Sequence, residues 1–190
     1  MRSKILKSSL GLLLGCSIVG SIATVNSPVT ASNSQLTKSS PNHLSVIIAA
    51  TPVKQLDIGT YKDMTKGAVV GDNLTPDHIP SFAAIKFYRK ATEAQAEPLR
   101  QGTCTIVYSG TIHKDSSRTH GGRNSEALIK SDGASEASLK KAFDLDKAAI
   151  EASLVKSEVA AGSTKPKAEA AVKKAFEDLY ACNKTIGLFK

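Results

Sequence analysis

Residues 103–110 read TCTIVYSG. Thr, Val, Ile and Tyr crowd into eight positions, and Gly110 closes the run, which is the composition of a short strand. Cys104, Ile106 and Tyr108 alternate, so the period of two puts them on one face. The stretches around it have a different period. One helix is expected over about 135–160, with Leu139, Ala142, Phe143, Ala149, Ile150 and Leu154 as core candidates. Gly162-Ser163-Thr164 breaks it, and Pro166 opens a second helix. There Val172, Phe176, Leu179 and Tyr180 form an apolar stripe at helical spacing. A strand flanked by long amphipathic helices predicts an α+β fold: a small helix-rich domain with a short sheet and a C-terminal antiparallel helical hairpin at 134–182.

Upstream, 80–97 reads as one helix, started by Pro80 and ended by Pro98, with Gly102 confirming the break. The stretch LDIGTYKDMTKGAVVGDNL (56–74) has glycines at 59, 67 and 71 and predicts turns. VIIAATPVKQL (46–56) reads as a strand or an ordered arm, interrupted by Pro52. The stretch 32–45 is polar and Ser/Asn-rich, so 32–52 is assigned as a flexible linker and 53–190 as a single domain.

The first residues carry an export pattern. MRSKILK is basic, SSLGLLLGCSIVGSIATV is uncharged and apolar, and PVTA (28–31) offers small residues for cleavage, so 1–31 reads as a bacterial signal peptide. LLGC (13–16) also resembles a lipobox, which would leave a lipid anchor on Cys16 instead. The destination is therefore secreted or periplasmic, with an anchored lipoprotein as the other exit. No stable membrane span is expected, because the apolar stretch is short and broken by glycine. Loss of 1–31 removes Arg2, Lys4 and Lys7 and no acid, lowering the formal net charge from +8 to +5, with 22 Lys and Arg facing 17 Asp and Glu. This mild basic bias is compatible with a polyanionic partner without demanding one. Cys104 and Cys182 remain, and two readings stay open: a disulfide favoured by an oxidising compartment, or two buried thiols.

Three clusters carry titratable groups suited to chemistry. In LTPDHIPSFAAIK (74–86), Asp77 and His78 precede Ile79-Pro80. Asp77 can cap a helix there. His78 at a helix mouth would meet backbone N–H groups and the positive end of the helix dipole, a setting that suits a phosphate and keeps imidazole neutral for base catalysis. His113 follows the strand directly, at the start of a polar loop, TIHKDSSRTHGGRNS (111–125). Such a loop is functional or disordered. Its second half holds Thr119 and His120, then Gly121 and Gly122, which permit close approach to a ligand, then Arg123, suited to gripping a phosphate, and Asn124. Asn124 can cap the following helix or offer its oxygen to a metal. Ser117 is a weaker hydrogen-bonding candidate.

Together these are the parts for phosphodiester cleavage: a neutral histidine to activate water, and a hard cation or arginine to meet charge on the phosphorane. Other hydrolases fit less well. The chain has no G-x-S-x-G elbow. Cys104 sits in a strand, where little lowers its pKa. No convincing pair of carboxylates faces a sugar cleft. There is also no Cys/His spacing of the structural-zinc kind.

The stretches LDIGTYKDMTKGAVVGDNLTPDHIPS (56–81) and TIVYSGTIHKDSSRTHGGRN (105–124) resemble the C-terminal toxin modules of bacterial polymorphic toxins, and more narrowly those of the HNH/endonuclease VII superfamily. The resemblance covers about 57–188. It implies a metal-dependent nuclease acting on DNA or RNA, with an inhibitor (immunity-type) protein as a further partner. His78 would be the general base, and Asp77 would orient it or bind a divalent metal, Mg or Zn. His113 would be a metal or phosphate ligand, Asn124 a further metal ligand, and Thr119, His120, Gly121, Gly122 and Arg123 would surround the substrate. The chain departs from the pattern in two places: a helix is expected at once after Asp77-His78, where the ββα-metal arrangement has a hairpin, and the expected signal peptide makes the module a free-standing secreted protein or a relative that has lost activity. The competing reading is a non-catalytic secreted or envelope-associated binding protein on the same scaffold. Convergence of His78, His113 and Arg123 on one concave site would favour the enzyme.

Overall fold

Residues 104–109 form the middle strand of a three-stranded antiparallel sheet in a computed structural model of the chain that describes residues 51–190. The expected signal peptide (1–31), the alternative lipid anchor at Cys16 and residues 32–50 of the expected linker lie outside the described residues. The described residues belong to one compact unit.

Element order is β1 (Ile58–Thr60), α1 (Tyr61–Lys66), β2 (Leu74–Asp77), α2 (Phe82–Arg89), α3 (Glu93–Gly102), β3 (Cys104–Ser109), α4 (Gly110–Ser116), α5 (Glu126–Asp132), α6 (Glu136–Ala160) and α7 (Lys165–Thr185), with a single 3-10 turn at Gly121–Arg123. The fold is α+β as expected. Strand order is β1-β3-β2, and Ile106 is paired with Ile58 on one side and Asp77 on the other. All residues from Cys104 to Tyr108 are fully buried, so both faces of β3 are covered rather than one. A central strand with neighbours on both edges and helices on its faces reads as a continuous apolar run.

The C-terminal helices α6 and α7 form the expected antiparallel pair. Phe143 meets Phe176 and Tyr180 edge-on, at ring separations of 6.3 and 5.5 Å. The connection turns at Gly162, whose φ of 102° is the left-handed region that glycine enters without penalty. Leu139, Ile150, Leu154, Val172 and Leu179 are at most 1% exposed. Burying each such side chain stabilises the fold by roughly 1.5–3 kcal/mol. A disulfide between Cys104 and Cys182 joins the start of β3 to the end of α7. Beside it, the Asn183 amide donates to the Ile79 carbonyl at 3.0 Å and ties α7 to the segment after β2.

The region before β3 differs from its sequence reading in three ways. The expected helix at 80–97 is two helices, because Lys90 adopts a left-handed conformation (φ 52°, ψ 36°) that ends α2, and Gln95 caps the start of α3 by accepting from the Thr92 N–H. Pro98 lies inside α3 instead of ending it. Both Pro98 and Ala94, whose carbonyl loses its usual donor, face solvent. Residues 56–74, expected as turns, contain β1, α1 and the start of β2. The polar stretch after β3 begins with helix α4, whose first turn is capped by Ser109 Oγ accepting from the Thr111 N–H at 3.2 Å.

Candidate active site

Asp77 is the last residue of edge strand β2, and His78 follows it. Successive side chains of extended backbone diverge. The Asp77 carboxylate turns toward β3 and α4, where it accepts a hydrogen bond from the Tyr108 hydroxyl and lies 3.5 Å from His113 Nε2. It also accepts from the His78 backbone N–H. Burial pushes the Asp77 pKa up, against the opposing pull of His113, the two hydrogen bonds and His120. Tyr108 is fully buried, and burial together with Asp77 pushes its hydroxyl far above the usual phenol range, so it remains a donor. The His113 ring stands edge-on to Tyr108 at 6.0 Å and to His120 at 4.6 Å.

The His78 ring lies on the other side. It stacks on Tyr61 at 5.0 Å and touches Phe82 at 5.4 Å, and His78 is 6% exposed. Its Nε2 is 3.3 Å from the Arg100 carbonyl. A carbonyl only accepts, so Nε2 carries the proton and Nδ1 is left as an acceptor. Burial lowers the His78 pKa to about 4, with the Arg100 charge acting in the same direction and its carbonyl opposing. Arg100 itself lies 4.5 Å over the Tyr61 ring and donates to the Tyr61 hydroxyl at 2.9 Å.

These groups share a cavity of about 280 Å³, lined among others by Asp77, His78, Arg100, His113, Thr119 and Asn124. Three larger grooves, of about 470, 720 and 770 Å³, have no histidine on their walls. Chemistry rather than size marks the site. The segment after α4 supplies its far wall. Arg118 holds that segment by donating to Asp132 of α5 at 2.7 Å and to Asp146 of α6 at 2.9 Å. Burial pushes Asp146 up to about 7 in spite of Arg118.

The structure brings together Asp77, His78, His113, Thr119 and Asn124, and sets His120 against His113. It does not bring in Arg123, whose guanidinium donates to the Lys114 carbonyl, nor the Gly121-Gly122 pair, neither of which lines the cavity. Three expected roles change. Asp77 does not cap α2, because Ser81 Oγ accepts from the Ala84 N–H there. Nor does Asp77 orient the His78 ring, since its carboxylate faces His113. Asn124 does not cap α5, a task taken by Ser125, and its Oδ1 is buried without a hydrogen-bond partner. Ser117 is buried and lies 3.4 Å from Thr119 through their hydroxyls, outside the cavity wall. Sequence reasoning missed Tyr108, Arg100 and the Arg118 cluster. The signal for Tyr108 was available: a phenol inside an otherwise apolar strand needs a buried partner.

The divalent metal implied by the resemblance can be weighed against these donors. Among the described residues no three His, Cys, Asp or Glu side chains converge to hold a metal, which argues against a closed zinc set. Asp77 and the unpartnered Asn124 oxygen fit a sparser, magnesium-type set, in which water and substrate phosphate complete the shell. No helix among the described residues is long and apolar enough to cross a membrane.

Over 86 residues the chain is 40% identical to Deoxyribonuclease CdiA of Dickeya dadantii (strain 3937), a match covering 42% of this chain and 3% of that protein. The chain therefore spans only a small part of that relative's length. No family model matches the sequence, and no solved structure matches the fold. The likeness accords with a nuclease-like module and carries nothing on the narrower HNH/endonuclease VII assignment.

Proposed function

We propose that the chain is an exported nuclease that hydrolyses phosphodiesters, with DNA as the favoured substrate. The carrying observation is the convergence of Asp77, His78, Arg100, His113 and Asn124, drawn from four separate parts of the sequence, on one cavity. The likeness to a deoxyribonuclease supports both the reaction class and DNA over RNA. The Cys104–Cys182 disulfide supports export to an oxidising compartment.

His113 acts as the general base. Asp77 lies against its Nε2 and is itself fixed by Tyr108, the geometry that orients an imidazole for proton transfer. His113 takes a proton from the attacking water as its oxygen bonds to phosphorus, and charge developing on the phosphorane is met by Arg100; the P–O bond to the sugar then breaks, and the leaving oxygen takes its proton from solvent. His78 stays neutral down to about pH 4, too weak a base for work near neutrality, and serves as a hydrogen-bonding wall of the cavity. A magnesium-type cation held by the Asp77 and Asn124 oxygens would supply Lewis-acid charge at the phosphate.

The test incubates the purified chain with plasmid DNA and with total RNA, in Mg²⁺, in Mn²⁺ and in chelator. DNA cleavage that chelator abolishes is the expected result. A folded protein that cleaves neither polymer would overturn the enzyme reading in favour of a binding protein.

A further inference from the structure

We propose that Arg118 is a positioning residue that sets His120, Thr119 and Asn124 against the His113–Asp77 pair. The inference rests on the nuclease reading for its catalytic consequence, though not for its geometry.

The segment between α4 and α5 delivers one wall of the cavity. Thr119 and Asn124 lie on that wall, and His120 packs edge-on to His113 at 4.6 Å. The segment has little regular structure to hold it. Its backbone hydrogen bonds close within itself: Arg123 N to His120 O at 3.3 Å, and Asn124 N to Gly121 O at 3.1 Å. The Thr119 N–H goes to Ser117 Oγ at 3.3 Å. Ties to the helical body come from side chains: the Arg123 guanidinium donates to the Lys114 carbonyl of α4, and Arg118 makes the ion pairs, to α5 and α6. Its Nη2 donates to Asp132 Oδ2 at 2.7 Å and its Nε to Asp146 Oδ1 at 2.9 Å. These carboxylates stand on different helices, and their side chains are only 9% and 6% exposed.

A planar guanidinium can satisfy two carboxylates in two directions at once, whereas an ammonium acts as a single compact charge. The position of Arg118 is thus fixed along two axes, and the backbone on either side of it follows. The cluster is poorly explained as a device for stability alone. One cation faces two buried carboxyl groups, and Asp146 Oδ2 has no hydrogen-bond partner. Apolar side chains of similar volume commonly stabilise such a site better than ions. What the ions supply here is direction.

The test uses the full chain and two variants, Arg118→Lys and the combined Arg118→Met/Asp132→Asn/Asp146→Asn, the second leaving no unpaired buried charge. Two quantities are read below the melting range of each variant: the nuclear Overhauser contact between the His113 and His120 rings, and kcat and KM on supercoiled plasmid. Positioning predicts that the ring contact is lost in both variants. It also predicts that kcat falls by roughly tenfold or more while KM changes little, since a misplacement of about 1 Å can cost on the order of a hundredfold. A merely structural clamp would lower the melting temperature and leave the ring contact and kcat intact, which overturns the proposal. If the wild-type chain cleaves no polymer, the nuclease reading fails, and the ring contact still decides the role of Arg118.

Discussion

Replacing His78 by glutamine removes a titration that the fold opposes. The His78 pKa falls from 6.5 to about 4 on burial. Between those values the unfolded chain takes up a proton that the folded chain refuses. The contribution is therefore fully present above pH 6.5 and is lost as pH falls through 4. The shift corresponds to about 3 kcal/mol of unfolding free energy across that window. Asp146 works in the opposite direction. Its pKa rises from 3.8 to about 7, so its protonated form favours the folded state at low pH and that advantage is lost as pH rises toward 7. Asp77, also raised, has the same sign as Asp146. The wild-type profile is flattened by this opposition, and the informative quantity is the difference between wild type and His78→Gln. Urea unfolding with the disulfide intact, at half-unit steps from pH 4 to 8, measures it. The stability of wild type relative to the variant is expected to drop by about 3 kcal/mol between pH 7 and pH 4. A difference that stays constant across the range would refute the buried, neutral His78 wedged between Tyr61, Phe82 and the Arg100 carbonyl.

Three further outcomes follow from the packing. Reducing the Cys104–Cys182 bond, which spans 78 positions, is expected to cost about 4–5 kcal/mol on the loop-entropy model, read as the shift in denaturant midpoint with and without a dithiol. Gly133→Ala would place a Cβ 2.5 Å from the Ala84 carbonyl oxygen and 3.0 Å from the Phe87 ring, so α2 and α5 must part. A loss of about 1–3 kcal/mol is expected in thermal unfolding. Phe143→Ala removes the ring that meets Phe176, Tyr180 and Phe189 edge-on, and is expected to destabilise by about 3–5 kcal/mol in the same assay.

The long helices were legible because twenty or more residues give the 3.6-residue period room to repeat, and Gly162 and Pro166 mark their junction. Strand β3 was legible from its composition. Strand β2 was not: LTPD has four residues, and Pro76 argues against a strand. Its place at the sheet edge explains the tolerance, since an edge strand can spare the N–H that proline lacks. Helix α4 escaped notice because seven residues with Ile112 as the single apolar side chain show no period. The site was legible as a set of residue types and less so as partnerships. Adjacency of Asp77 and His78 suggested a working pair, yet extended backbone sends them to opposite neighbours. Arg123 looked like the phosphate grip, but the cation on the cavity wall is Arg100, at the end of a helix where nothing local announces it. Tyr108 was read as sharing one strand face with Cys104 and Ile106, and only the fold shows the Asp77 carboxylate that its hydroxyl meets.

The most direct test compares single-turnover cleavage of supercoiled plasmid by wild type, His113→Ala and His78→Gln, each confirmed folded by near-ultraviolet circular dichroism. With His113 as the base, His113→Ala is expected to slow cleavage by roughly 10²- to 10⁴-fold, while His78→Gln keeps a rate within about tenfold of wild type. Full activity in His113→Ala would contradict the account, and a collapse confined to His78→Gln would move the base to the other side of the cavity.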